Sequence, residues 1–414
     1  MTTTMKAIIK EKPVPGKEWP RGLRFAANRP VPPLARPNDV KVQVKAAAIC
    51  GTDVGIYNSK DSMRDSMSSL ATPDVVVGHE FCGTLGEAAP EAKETLAKLL
   101  LEKYPNDADV RSFFNGAGPA QAAKNPKFID FIAEHFDTTS EMHVTCGRCY
   151  QCRRGERHVC RNTVIRGIHG DGIFAEYVVL PAENIRLYKK GMIPPTVIAF
   201  MDAIGNATHT IQPVGDVEGK TVAVLGCGVQ GLMATAIARF LKARKIYVTD
   251  ASRGEFSHEK LEASRFRLAK LYGADHTFDM SVDKEKEAFF ATVKQETDDT
   301  GVDAILEMSG NYKAYEDAFK VVRMGGWISL LGLPGGKTVV DFSRDVIFRG
   351  VTVHGVIGRR VWSTWDLMEK VLTSGVAQEF VDTGFVTHEF PLERYEDAFR
   401  AIAAGDALKV ILRP

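Results

Sequence analysis

The stretch from Thr221 to Asp250 constrains the fold most strongly, because short apolar strands and helices alternate along it. A strand predicted at 221–225 is followed by a glycine-rich turn, and a helix is predicted to continue to about Leu241. A second strand is predicted at 245–250, and the same alternation continues to about residue 331. Alternation of this kind predicts βαβ units, and therefore an α/β fold with a doubly wound parallel sheet.

The turn carries the pattern G-x-G-x-x-G, and Asp250 ends the following strand. Two glycines let the backbone approach a pyrophosphate, the third lets helix and strand pack closely, and the helix N-terminus favours an anion. A glycine turn without a ligand is the alternative. The predicted cofactor residues of this turn are Gly226, Gly228, Val229, Gln230 and Gly231.

An acidic residue at the position of Asp250 would accept hydrogen bonds from the adenosine ribose and repel a 2′-phosphate. The pattern therefore favours NAD over NADP as the cofactor. Arg265 lies downstream and is a candidate for the adenosine end, although a solvated surface arginine is an equally good interpretation.

Four of the seven cysteines fall within fifteen residues, at Cys146, Cys149, Cys152 and Cys160. Four thiolates at this spacing can surround Zn²⁺ tetrahedrally and leave no open position, which predicts a structural zinc. An iron–sulfur cluster is the rival interpretation, but the spacing departs from the bacterial ferredoxin pattern. Four free cysteines without a metal are the third interpretation.

Composition excludes several classes of protein. Lysine plus arginine is 53 and aspartate plus glutamate is 52, a formal net charge of +1, which gives no basic field for nucleic acid. The N-terminus has no apolar signal region, and the apolar stretch at 221–241 is interrupted by the glycine turn, so no membrane span is predicted. Crowded cysteines without a disulfide framework favour a cytoplasmic protein.

The first 85 residues contain short apolar runs separated by proline and glycine, which predicts a β-rich domain. Residues 86–140 differ from them. Glu91–Tyr104 has leucines on one face and charges on the other, and apolar residues follow at helical spacing after Asn125. This stretch is predicted to be a helical insertion.

Five motifs, AICGTD, GHE, CGRCYQCRRGERHVC, GNATHT and VLGCGVQG, occur here in the order typical of the zinc-dependent medium-chain alcohol dehydrogenase superfamily. The chain resembles that superfamily over nearly its whole length outside 86–140. Within it, segments such as FAEYVVLPAEN and VIFRGVTVHGVIGR are most similar to the L-threonine 3-dehydrogenases. The resemblance implies a GroES-like β-rich catalytic domain beside a Rossmann NAD-binding domain.

The resemblance also implies roles for dispersed residues that spacing alone could not assemble. Ligands of a catalytic zinc would be Cys50, His79, Glu80 and Asp202, of which Glu80 can exchange with water or substrate. Thr52 would accept the substrate proton, and His143 would lie near the substrate. The implied cofactor contacts are Leu331 and Leu333, near the nicotinamide amide, and Lys409, on the phosphates.

Three departures from the family pattern stand out. Gly55 occupies the position where the family commonly has a histidine that passes the proton onward. The helical insertion is longer than the usual segment by roughly thirty residues, and we hypothesise that it forms a lid or an oligomer contact. An additional stretch, Arg253–Lys260, follows Asp250.

These observations predict a catalytic domain over 1–200 with a zinc lobe at 143–161, an NAD-binding domain over 201–357, and a return segment over 358–414. The predicted function is NAD-linked oxidation of a secondary alcohol, with two zinc ions in a chain that forms a homo-oligomer. A threonine-like β-hydroxy amino acid or small amino alcohol is the leading substrate. The alternatives are a polyol or sugar alcohol, and a nucleotide-binding scaffold without catalysis.

Overall fold

The computed structural model describes residues 3–405 and 407–414. These residues form eighteen strands, numbered in chain order. The strands are β1 (Thr4–Glu11), β2 (Arg24–Pro30), β3 (Asp39–Ala48), β4 (Asp74–Val76), β5 (Glu80–Ala88), β6 (Phe136–Ser140), β7 (His143–Val144), β8 (Val164–Ile165), β9 (Tyr177–Pro181), β10 (Ile185–Lys189), β11 (Thr221–Leu225), β12 (Lys245–Asp250), β13 (His276–Asp279), β14 (Val302–Glu307), β15 (Val322–Leu330), β16 (Thr352–Gly355), β17 (Val386–Pro391) and β18 (Lys409–Arg413).

The same residues form seventeen α-helices, joined in places by short 3-10 and π turns. The helices are α1 (Gly51–Tyr57), α2 (Asp61–Met67), α3 (Pro90–Lys103), α4 (Ala108–Phe114), α5 (Pro119–Ala122), α6 (Phe128–His135), α7 (Tyr150–Arg153), α8 (Pro195–Ile198), α9 (Met201–Ile211), α10 (Val229–Phe240), α11 (His258–Leu261), α12 (Arg267–Leu271), α13 (Asp283–Glu296), α14 (Tyr312–Val321), α15 (Ser363–Val371), α16 (Ala377–Asp382) and α17 (Tyr395–Ala403). None of the helices in the described part of the chain is long and apolar enough to cross a membrane.

The chain divides into two compact units. The first comprises Met1–Asp202 and Ala377–Pro414, and the second comprises Ala203–Val376. Residues 358–376, predicted to belong to the return segment, therefore lie in the second unit. Hydrogen bonds to α9 and the turn after it explain the difference: His209 donates from Nδ1 to the carbonyl of Gly358, and Thr364 donates to Gln212.

The first unit is built on a mainly antiparallel sheet in the order β10-β6-β5-β3-β18-β17, to which β9 adds by pairing with β3. A three-stranded sheet, β2-β1-β4, completes the β-rich part. Apolar residues alternate along β3, so that Val40, Val42 and Val44 are buried. The predicted β-rich catalytic domain is confirmed.

The predicted insertion at 86–140 is helical only over α3 to α6, because strands β5 and β6 occupy its two ends. Those strands belong to the main sheet, so the predicted boundaries are corrected to about 90–135. The helices pack on this sheet and share its core through Leu96, Phe128 and Ile132. The hydroxyl of Tyr104 donates to the carbonyl of Leu187 in the outermost strand β10. The helical segment therefore covers a sheet edge that would otherwise expose unpaired backbone groups.

The second unit contains six parallel strands in the order β13-β12-β11-β14-β15-β16. Numbered within this unit, the order is 3-2-1-4-5-6, which is that of the dinucleotide-binding Rossmann fold. The strands predicted at 221–225 and 245–250 are confirmed at both ends. In folds of this kind a ligand binds beyond the carboxyl ends of the strands, where the order reverses.

Candidate active site and zinc centres

Paired strand ends bring three predicted zinc ligands together. In the ladder between β3 and β5, Ala48 lies opposite Glu80. Cys50 follows the end of β3, and His79 immediately precedes β5, so one sulfur, one nitrogen and one oxygen ligand meet. Their ligand atoms lie within 4.8 Å of one another, and His79 and Glu80 are buried. A donor set of this kind suits a zinc site that keeps a position for another ligand.

A buried lysine supports the same cluster from a third strand. Lys409 begins β18, is 2% exposed, and donates to Oε2 of Glu80 and, at 3.1 Å, to the carbonyl of Ile49. Burial, opposed by the charge of Lys409, raises the pKa of the Glu80 carboxyl. Oε1 of Glu80 is buried without a hydrogen-bond partner among the residues described. An oxygen left in this condition fits coordination to a cation.

This ion pair gives Lys409 a position beside the candidate zinc ligands. Both hydrogen bonds shown for its ammonium go to Ile49 and Glu80. A charged ammonium with almost no water contact requires a carboxylate beside it, so Lys409 holds Glu80. The contact with the cofactor phosphates that the resemblance implied stays a prediction.

Asp53 is a functional candidate that the sequence reasoning missed. It is fully buried, its Oδ2 accepts from the backbone N–H of Cys50 at 2.8 Å, and its Oδ1 lies 3.4 Å from Nδ1 of His79. A carboxylate behind a ligating histidine orients the ring and leaves the other nitrogen for the metal. The available signal was the capping-box spacing of Cys50 and Asp53 at the start of α1.

Thr52 and Asp202 lie close to this cluster. Oγ1 of Thr52 is 3.9 Å from Sγ of Cys50, in the first turn of α1. Asp202 is buried in the first turn of α9, and its charge contributes to the raised pKa of Glu80. The group of ligand atoms within 4.8 Å consists of Cys50, His79 and Glu80. Asp202 as a fourth ligand stays a prediction.

His143 is held by a second carboxylate that the sequence reasoning missed. Nδ1 of His143 lies 2.9 Å from Oε1 of Glu141, and the backbone N–H of His143 donates to the same oxygen at 3.0 Å. Glu141 is fully buried, so its charge favours a proton on Nδ1 and directs Nε2 away. The signal was an acidic residue two positions before a candidate histidine. The position of His143 beside a substrate stays a prediction.

The four clustered cysteines also converge. Their sulfurs lie within 4.8 Å of one another, and Cys149, Cys152 and Cys160 are buried. Hydrogen bonds from the Asn162 amide and from backbone N–H groups lower the pKa of Cys146 to about 5, whereas burial raises the pKa of Cys152 to about 12. A backbone hydrogen bond from Cys152 also lowers the pKa of Cys149. Four converging sulfurs, of which two are favoured as thiolates, fit a structural zinc.

The glycine turn of the second unit has the shape that a pyrophosphate requires. Gly226 has a φ of +103°, and a Cβ at Gly231 would lie 1.8 Å from the Gly226 carbonyl oxygen. Gly228 caps α10, and a Cβ there would meet nothing within 4 Å. Val229 and Gln230 form the first turn of that helix. The open space at a helix N-terminus therefore fits the phosphates of NAD.

Asp250 and Leu331 lie at the carboxyl ends of β12 and β15, which β11 and β14 separate in the sheet, and Arg265 lies in the helical segment after β12. Asp250 ends β12, and its Oδ2 lies 3.0 Å from Nη1 of Arg265. Leu331 follows β15 and donates its backbone N–H to the carbonyl of Glu307 at 3.0 Å, while Leu333 is exposed. Their contacts with NAD stay predictions.

We expect the zinc-loaded protein to contain two zinc ions per chain, one for each cluster. Cys149→Ser should remove one ion and lower the melting temperature, because the lobe around the cysteines has no other core. His79→Ala should also remove one ion, with a smaller effect on melting. Elemental analysis and thermal unfolding measure both quantities. A single zinc in the wild-type chain would favour a scaffold without catalysis.

In zinc-free protein, we expect Lys409→Met to lower the free energy of unfolding by about 3–5 kcal/mol, because it leaves the Glu80 carboxylate buried and unpaired. Adding Glu80→Gln should restore most of the loss. Lys242→Met is the control, since its pair with Glu218 is exposed and contributes about 1 kcal/mol at most. Urea unfolding measures all of these variants. Equal losses for Lys409→Met and Lys242→Met would contradict the assignment.

Comparison with known proteins agrees with this geometry. The alcohol dehydrogenase GroES-like domain matches residues 36–97 and 137–191, on either side of most of the helical insertion, and the zinc-binding dehydrogenase domain matches 230–374. The L-threonine 3-dehydrogenase of Pyrococcus abyssi is 34% identical over 99% of both chains, and that of Anaeromyxobacter sp. is 35% identical over 99% of this chain and 98% of the other.

Solved structures show the same fold. An alcohol dehydrogenase from Thermotoga maritima superposes with a TM-score of 0.75 at 22% identity and 99% coverage of both chains. Galactitol-1-phosphate dehydrogenase from Escherichia coli gives 0.74 at 21% identity, covering 99% of this chain and 100% of the other. Together with the full-length curated relatives, these matches show that the chain belongs to the zinc-dependent medium-chain alcohol dehydrogenase superfamily and is an NAD-dependent zinc enzyme.

Proposed function

We propose that the protein oxidises the secondary hydroxyl of L-threonine, or of a closely similar β-hydroxy amino acid, and reduces NAD⁺. The observation that supports this substrate most directly is the similarity to several L-threonine 3-dehydrogenases over nearly the entire chain. The buried cluster of Cys50, His79 and Glu80 supports the chemistry, because it has the donor set of a catalytic zinc.

Cys50, His79 and Glu80 would hold a zinc ion, which when bound would supply a Lewis acid that stabilises negative charge on a substrate oxygen. The protein residues around it have separate tasks. Asp53 orients His79, and Lys409 holds one oxygen of Glu80, so the ligands are fixed before substrate arrives. The Thr52 hydroxyl, next to the cluster, takes the proton that the substrate hydroxyl loses.

The histidine that commonly carries this proton onward is replaced by Gly55. A Cβ at Gly55 would lie 3.2 Å from Cγ of Met63 in α2, so the adjoining space is already occupied by a side chain. The proton then leaves from Thr52 by way of water, because neither Gly55 nor Met63 can accept it.

We place the enzyme in the cytoplasm, where thiol ligands stay reduced.

We expect zinc-loaded protein to reduce NAD⁺ with L-threonine at a higher kcat/KM than with small diols, sorbitol-like polyols or sugars. D-threonine is the matched control, since it presents the same groups in the wrong configuration. NADH absorbance measures each rate. Oxidation of a polyol without oxidation of L-threonine would favour the polyol alternative and would still agree with NAD-linked oxidation of a secondary alcohol. If protein with two bound zinc ions forms no NADH with any compound of the panel, the proposed substrate is contradicted but the enzyme class is not.

We also propose that the chain forms a homo-oligomer through the β16 edge of the six-stranded sheet, which like the β13 edge is open in the described residues. In the described part of the chain, β16 pairs with a strand on one side only. Large apolar side chains are exposed on and near this edge. They are Met324, Phe342, Ile347, Phe348, Val353 and Ile357. An apolar patch of this kind beside an open sheet edge is typical of an interface.

We expect the wild-type protein to elute as a dimer or tetramer in size exclusion with light scattering. Phe348→Lys and Val353→Lys should shift the mass towards that of one chain, because each introduces a charge into the apolar patch. Leu271→Lys is the control, since this residue is exposed on a helix away from β16. A wild-type mass of one chain, or an unchanged mass in both variants, would contradict the proposed interface.

A further inference from the structure

The additional stretch after β12 is fastened to the end of a neighbouring strand. The backbone N–H groups of Arg253 and Phe256 each donate to the carbonyl of the other residue, at 2.9 and 3.1 Å, which closes a tight turn. On one side of the turn, the backbone N–H of Ser252 donates to Asp279 at 3.0 Å; on the other, Nδ1 of His258 lies 3.1 Å from the same carboxylate. Because Asp279 is fully buried, it anchors both ends of the turn.

The turn holds an aromatic ring against a charged pair. The guanidinium carbon of Arg265 lies 4.4 Å from the centre of the Phe256 ring, and Nη1 of Arg265 lies 3.0 Å from Oδ2 of Asp250. Both charged side chains are largely shielded from water, at 21% and 16% exposure. The carbonyl of Arg265 also accepts from Sγ of Cys227, which lies within the glycine turn. The stacked pair therefore adjoins the predicted cofactor site.

We propose that Phe256 is a specificity-determining residue: it locks Arg265 onto Asp250, and the chain thereby selects NAD against NADP. The proposal rests on the NAD-linked activity above. An arginine that is free to move is the group that accommodates a 2′-phosphate in this fold. The Phe256 ring covers one face of the guanidinium and removes water from the ion pair, which favours the paired arrangement.

Once Arg265 is held in this way, its Nη1 donates to Asp250 and its guanidinium is directed towards that carboxylate. The Asp250 carboxylate still has Oδ1, which accepts only from the backbone N–H of Ala251, at 2.9 Å, in the hydrogen bonds that the structure shows. A ribose hydroxyl can be accommodated by such an acceptor, whereas a 2′-phosphate meets the Asp250 carboxylate while Arg265 stays paired with it. Phe256 therefore affects the preference for NAD over NADP, and not the binding of the part that the two cofactors share.

The test measures binding to the full-length, zinc-loaded protein by calorimetry, with ADP-ribose and 2′-phospho-ADP-ribose as probes. Phe256→Ala should lower the preference for ADP-ribose by about fivefold, through tighter binding of the phosphorylated probe. Phe256→Tyr keeps the ring and should keep the wild-type ratio. Phe290→Ala is the matched control, because it removes the ring under Lys320 elsewhere in the same unit and should not change the ratio.

A second set of variants, made in the Arg265→Gln protein, distinguishes the proposed role of Phe256 from a general effect on the structure. In Arg265→Gln, the further change Phe256→Ala should leave the ratio unaltered, because the group that Phe256 holds is gone. Phe256→Leu, which keeps apolar volume without an aromatic face, replaces Phe256→Ala if that variant does not fold. An unchanged ratio, equal weakening of both probes, or the same change in the Arg265→Gln background would overturn the proposal.

These outcomes are separate from those of the substrate test. Neither probe carries nicotinamide, so failure of L-threonine turnover leaves the binding ratios interpretable. Wild-type protein that binds neither probe would overturn both the lock and the assigned cofactor site.

Discussion

The register of the β3–β5 ladder determines whether this chain has a zinc site. Ala48 opposite Glu80 places the end of one strand against the start of the other, and Cys50 and His79 follow from that pairing. A slip of one residue would turn the Glu80 side chain to the opposite face and separate the three ligand atoms. Strand β18 adds Lys409 to the same point, since Ile411 and Leu412 pair with Ala48 and Ala47. The site therefore depends on backbone pairing among segments distant in sequence.

Glycines make part of this arrangement possible. Gly78, immediately before His79, has a φ of +88°, and a Cβ there would lie 2.3 Å from the Phe174 ring. Only glycine combines that backbone conformation with so close an approach. The turn fixes the direction in which the chain enters β5. The GHE motif thus supplies two candidate zinc ligands, His79 and Glu80, and a glycine that the backbone requires for steric reasons.

Local patterns predicted the strands of the second unit and the cysteine cluster of the first, because each carries its own signal. The glycine turn, the strand ending at Asp250 and the four clustered cysteines all lie in short stretches of sequence. Asp53 and Glu141 had only weak local signals, the capping-box spacing and the acidic residue before His143. The Glu80–Lys409 pair had none. Lys409 is 329 residues from its carboxylate partner, and its burial follows from three-dimensional packing that no local pattern encodes. The same applies to residues 358–376, which belong to the second unit and are hydrogen-bonded to α9 and the turn after it.

The replacement of the relay histidine by Gly55 is better understood as a change in packing than as a missing group. The Met63 side chain of α2 lies 3.2 Å from where a Cβ at position 55 would stand, so it occupies part of the space that a larger side chain would need. Interiors are close-packed, so a histidine there would require the Met63 side chain to move. Ser66, one turn further along α2, is hydrogen-bonded to Nε2 of His169 at 3.0 Å, which ties α2 to the loop after β8. Glycine at position 55 and the placement of α2 therefore belong together, and proton release from Thr52 depends on water reaching that hydroxyl.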